Sequence, residues 1–129
     1  MKKSLRKFFD DHVEAVLEEL PRAIHILLET VPIHVEDRPS RETRRQMELH
    51  ADEDLYGLYT GVPLTERHVD ASHLPDVVTI YRESLMEDAM DEDGVPDEDE
   101  LREQIRITIL HELAHHHGFS EKELEELGY

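Results

Sequence analysis

His111-Glu112-Leu113-Ala114-His115-His116-His117-Gly118-Phe119-Ser120-Glu121 is the stretch that decides how the 129-residue chain is read. Residues four apart on an α-helix stand one above the other, so His111 and His115 aim two imidazoles at one point. Glu112 is turned about 100° from His111, which sets its carboxylate beside that point rather than on it. Two imidazoles with a carboxylate at this spacing suit a zinc ion, with Glu112 as the general base that takes a proton from water there. A catalytic zinc site uses three protein ligands and keeps a fourth position open. Gly118 lets the chain reverse after the helix. Glu121 follows six residues after His115, at the first position of a short helix capped by Ser120, with Glu123 completing a capping box. It is the expected third ligand. The metal set is therefore His111, His115 and Glu121.

Working outward, Leu101, Ile105, Ile109, Leu110, Leu113 and Ala114 give the site helix an apolar stripe, and Asp97 or Asp99 is placed to cap its start. Upstream, Leu5, Phe8, Phe9, Val13, Val16, Leu17 and Leu20 recur at helical spacing, with Ser4 as the expected N-cap. Pro21 stops that helix or opens a second one through Ala23, Ile24, Leu27 and Leu28. The run 31–35 (VPIHV) reads as a strand in which Pro32 favours an edge or a strand start. Residues 36–54 show no strong periodicity and read as a long loop. A short strand is expected over 55–60, ended by Gly61-Val62-Pro63, and a stronger one over 76–81. A helical turn or two follows at 84–90, then an acidic loop at 91–96. Helices, strands and helices in that order point to an α+β fold in a single domain, 1–129.

The remaining candidates are weaker. His116 and His117 lie on other faces of the helix, facing solvent or a ligand carboxylate. His12, His25, His34, His50, His68 and His73 are scattered, as structural or exposed histidines are. Tyr56, Tyr59, Tyr81 and Arg67 are the side chains able to polarise a carbonyl or hold an oxyanion. The acidic runs at 91–93 and 97–100 lack the ligand order of a calcium loop and read as solvated surface.

Composition bounds the function. A formal net charge of −18 repels phosphate backbones, so no nucleic-acid partner is expected. With no cysteine, disulfides and thiolate-metal sites are excluded and a reducing cytosol suits the chain. The basic start runs into Asp10 and Asp11 without the apolar stretch of a signal peptide, and no segment has the length of a membrane span. A cytoplasmic protein without a membrane partner is expected.

The chain resembles the small bacterial zincin-like metallopeptidases, or minimal zincins. The resemblance rests on HELAHHHGFSE (111–121), VPIHVED (31–37), GLYTGVPLTER (57–67), LPDVVTIYR (74–82) and the ending ELEELGY (123–129). It implies a compact α+β domain with a small mixed sheet packed on the H-E-x-x-H helix. It also implies zinc on His111, His115 and an acidic third ligand, with Glu112 catalytic. That third position is usually Asp in the family, and Glu121 here is one methylene longer. Larger relatives continue into a lower subdomain with a methionine turn. The chain reaches only eight residues past Glu121, so a domain without that subdomain and an open, shallow site are expected.

By analogy with zincins, a peptide or protein substrate would lie along one of the strands at 55–60 or 76–81 as an added strand. Two other readings share these residues. One is a zinc-stabilised peptide- or protein-binding module without turnover, which would have no need of Glu112. The other is an RNA-processing metal hydrolase with H-x-x-x-H-x-x-G-Y-x-H. Against it, Phe119 stands for the Tyr, Glu121 for the last His, and the chain is acidic.

Overall fold

Pro21 divides the N-terminal apolar run into two helices, α1 (Lys3–Glu19) and α2 (Arg22–Leu28). The computed structural model describes residues 1–61, 76–117 and 121–126, and of these the side chains of His116, His117, Glu121 and Leu124 stand outside the description. Then follow β1 (Ile33–Glu36), α3 (Arg41–Gln46), β2 (Gly57–Thr60), β3 (Val77–Tyr81), α4 (Arg82–Asp88), α5 (Glu98–His117) and α6 (Glu121–Glu126). Ser4 lies inside α1 rather than capping it; the N-cap is Lys2, with no side-chain hydrogen bond. The stretch 36–54, expected as a loop, contains α3. Its sequence RETRRQ has no apolar stripe to betray it, and the helix is started by Ser40, whose side chain accepts from the Thr43 amide.

The three strands form one mixed sheet in the order β1-β3-β2. β3 is central, parallel to β1 with Ile33 opposite Val78 and antiparallel to β2 with Tyr59 opposite Val78. Val78, Thr79, Ile80 and Tyr81 are all buried, as a strand covered on both faces requires. β1 and β2 are the edges, and Pro32 stands just before β1, where its carbonyl accepts from the Val78 amide.

α5 is the spine of the core. Asp97 caps it, its carboxylate accepting from the Glu100 amide at 3.0 Å. Leu101, Ile105, Ile109, Leu110, Leu113 and Ala114 are all buried in one cluster with Phe9, Val13 and Val16 of α1 and Val78 and Ile80 of β3. Each fully buried Leu or Ile contributes about 1.5–3 kcal/mol of transfer free energy. A polar contact pins the same joint: Arg102 Nε donates to His12 Nδ1 at 2.8 Å, so this buried histidine serves structure.

A network of charges ties α1 to the C-terminal end of the parallel pair, where Asp37 follows β1 and Arg82 follows β3. Arg82 grips Asp10 through two hydrogen bonds of 2.9 and 3.0 Å and reaches Asp37 at 2.9 Å. Arg6 holds the other side of Asp37, its Nη2 donating to Oδ2 at 2.6 Å. The Arg6 hydrogen bond, reinforced by Arg82 and opposed by burial, holds the Asp37 carboxyl below its ordinary value of 3.8. A carboxylate whose pKa is lowered on folding adds stability that is complete above its unfolded value and lost as pH falls through the folded one. Urea unfolding is therefore expected to show stability declining as pH drops below about 4–5. Asp37→Asn, less stable at neutral pH, should show a flatter decline over the same acid range.

Candidate metal centre

Helical periodicity that buries one stripe of α5 turns a second stripe outward. Gln104, Ile107, Thr108, His111, Glu112 and His115 all line one open cavity of about 470 Å³, closed on its other side by Asp54, Leu55, Tyr56 and Gly57. His111 and His115 are exposed to it, while Glu112 is half-buried. The structure thus brings three of the four expected site residues to one cavity wall. The fourth, Glu121, begins α6, which packs on α5; its side chain is among those outside the description, as are Gly118 and Ser120. Among the described residues no group of three His, Cys, Asp or Glu side chains is placed to hold a metal ion.

Glu112 is held in a particular setting. Burial pushes its carboxyl above the ordinary 4.5, opposed by His115, by a hydrogen bond from the Tyr59 backbone N–H and by His111. The sheet explains why that amide is available. The Tyr81 N–H bonds the Tyr56 carbonyl, and antiparallel pairs alternate between bonded and non-bonded. Leu58 and Thr60 therefore direct their backbone groups at β3, and Gly57 and Tyr59 direct theirs away from it.

Close approach of β2 to α5 depends on Gly57. A Cβ there would lie 2.6 Å from Thr108 Cγ2, 3.2 Å from the Thr79 carbonyl oxygen and 3.6 Å from Glu112 Cγ. The glycine is required by space. A second cavity of about 300 Å³ shares Asp54 and Tyr56 with the first and is completed by Ser84, Glu87 and Asp88.

The other candidates separate clearly. Tyr56 lies at the cavity mouth, and burial, then Asp88 and Glu87, push its pKa up. Tyr81 is buried, and burial followed by Glu36 and Glu112 raises its pKa. Tyr59 is buried with its hydroxyl donating to Asp76. Arg67, His68 and His73 lie outside the described residues. His25, His34 and His50 are exposed and line no wall of the site cavity.

Gln104, Ile107 and Thr108 join the site although no motif marks them; they stand seven, four and three residues before His111 on the same helical face. Asp54 and Gly57, brought to the cavity by the course of the chain into β2, carry no local signal either.

The donor set fits zinc chemically: two imidazoles from adjacent turns open to solvent, with a carboxylate fixed beside them. The model of the zincin-like metallopeptidases matches residues 28–129, and the chain belongs to that family, whose activity class is zinc-dependent hydrolysis. Among solved structures, a conserved hypothetical protein from T. thermophilus is 21% identical with a TM-score of 0.52, over 95% of this chain and 96% of that one. The two share a fold. No curated protein matches.

Proposed function

We propose that the chain is a zinc peptidase in which His111, His115 and Glu121 hold the metal and Glu112 is the general base. The observation that carries this reading is the setting of Glu112. Its carboxylate is half-buried between the two histidine turns, beside the outward Tyr59 amide, and open to a cavity whose far wall is the 54–57 segment that leads into the edge strand β2. Zinc, when bound, supplies a Lewis acid that polarises a carbonyl and lowers the pKa of water to about 7.

Glu112 takes the proton from the attacking water and returns it to the departing amine. β2 is the better of the two expected substrate strands, because β3 is central and already paired on both sides. A peptide would meet the outer side of β2 through the backbone groups that Glu112 leaves open, those of Gly57 and the Tyr59 carbonyl, and cross the site cavity.

The acidic surround of the adjoining cavity, with Asp54, Glu87 and Asp88, disfavours a phosphate backbone and with it RNA cleavage. The cysteine-free composition fits a cytoplasmic setting. Among the described residues no helix is long and apolar enough to cross a membrane.

Elemental analysis of the purified chain should find one zinc per molecule, and His111→Ala and His115→Ala should each remove nearly all of it. Cleavage of a diverse peptide library by the wild type, inhibited by chelation and restored by zinc, completes the test. Zinc without cleavage of any peptide would replace this reading with a zinc-stabilised binding module.

A further inference from the structure

Among the described residues, Tyr59 and Asp76 make a buried side-chain contact that leads directly to the cavity carboxylate. The Tyr59 hydroxyl donates to Asp76 Oδ2 at 2.9 Å, and both residues are only 7% exposed. Tyr59 stands opposite Val78 in the β2–β3 register, so Asp76 is its diagonal neighbour two residues back, within reach of an aromatic side chain. Gly61 closes over the same carboxylate with φ +138, and a Cβ there would collide with Asp76 Oδ1. A buried ionised or polar group held this tightly is costly without a partner, which makes the phenol–carboxylate rung stiff. On the other side of the same residue, the strand register turns the Tyr59 backbone N–H away from β3. Glu112 packs against β2 on that side, with its Cγ 3.6 Å from a Cβ position at Gly57, and the amide helps to keep that carboxyl ionised.

We propose that Tyr59 and Asp76 are a positioning pair for Glu112: the buried rung fixes the backbone of residue 59, and the outward amide of residue 59 fixes the Glu112 carboxylate over the site cavity. The inference rests on the reading of Glu112 as general base. The rung is mechanically apt for this. β2 is a four-residue edge strand whose strand neighbour, among the described residues, is β3 alone, and residue 59 is next to its end. The bonded pairs of Leu58 and Thr60 and the buried ring hold residue 59 in the strand, and the rung adds the restraint on its phenol that sharpens where the outward amide points. Small displacements of a positioned group matter, since a shift of about 1 Å can cost about a hundredfold in rate.

The test separates this role from simple stability. In the zinc-free protein, Tyr59→Phe should raise hydrogen exchange of the residue 59 amide about tenfold relative to the amides of Leu58 and Thr60, which face β3. Glu112→Ala should expose the same amide and serves as the reference. With zinc bound, Tyr59→Phe should lower kcat about ten- to a hundredfold while KM and zinc content stay near wild type. Asp76→Ala should reproduce both effects. Asp76→Asn, which keeps an acceptor for the phenol, should restore most of the kcat and of the amide protection, and this pair decides the matter if Tyr59→Phe does not fold. Uniform loosening of residues 58, 59 and 60, or an unchanged kcat, would overturn the pair's role. If the wild type cleaves no peptide, the proposed activity fails, and the exchange measurement still decides whether the pair holds residue 59 against Glu112.

Discussion

Glu112→Gln is expected to retain zinc and lose peptide turnover by about 10²–10⁴-fold, the range associated with a positioned general base. That corresponds to about 3–5 kcal/mol of transition-state stabilisation. The substitution isolates proton transfer because the glutamine amide has the same shape. Its carbonyl oxygen can still accept the Tyr59 N–H that orients Glu112, and neither His111 nor His115 is altered. Elemental analysis should therefore show unchanged zinc, and circular dichroism an unchanged fold, beside the loss in kcat. Full activity in this variant would exclude Glu112 as the base whatever the fate of the metal.

Gly57→Ala is expected to be the most damaging single-methyl addition near the site. The new Cβ would meet Thr108 Cγ2 at 2.6 Å and the Thr79 carbonyl oxygen at 3.2 Å. One neighbour is a β-branched methyl on the site helix and the other is backbone, so neither yields by a simple rotation. The strand and helix must separate, at about 1–3 kcal/mol of stability, and the Tyr59 amide would be drawn off Glu112. Turnover should fall by about a hundredfold from the displacement alone. Thr108→Ser removes the offending Cγ2, so the double variant should recover much of both losses in urea unfolding and in kcat. Additive losses in that double-mutant cycle would show that the two residues do not meet.

Much of this structure was legible before any coordinates. The apolar stripe of α5, the stop at Pro21 and the strand at β3 are written in local periodicity, and each lies where that periodicity placed it. The histidine pair is likewise a local fact of one helix. What stayed hidden depends on distant parts of the chain. α3 is held by a cap and by Arg44, which donates to the His50 and Glu53 carbonyls, so no amphipathic pattern announces it. A tyrosine at 59 reads from sequence as an oxyanion group, yet its phenol is turned inward to Asp76 and its backbone faces away from β3. Strand register decides that orientation, and a single tyrosine in a sequence does not disclose register. Glu121 was placed by its spacing from His115; α6 does begin at that residue.

The two stripes of α5 have a consequence for how such a protein can change. One stripe supplies the core, and the other supplies the cavity wall, where Gln104 is half-buried and Ile107 is 36% exposed. Under the proposed function, a side chain exchanged at 104 or 107 changes the wall that a substrate would meet without touching the buried stripe of α5. Selectivity and foldability are thereby assigned to opposite sides of one rod. A laboratory library confined to positions 104 and 107 would sample new substrate preferences on a scaffold that keeps its stability.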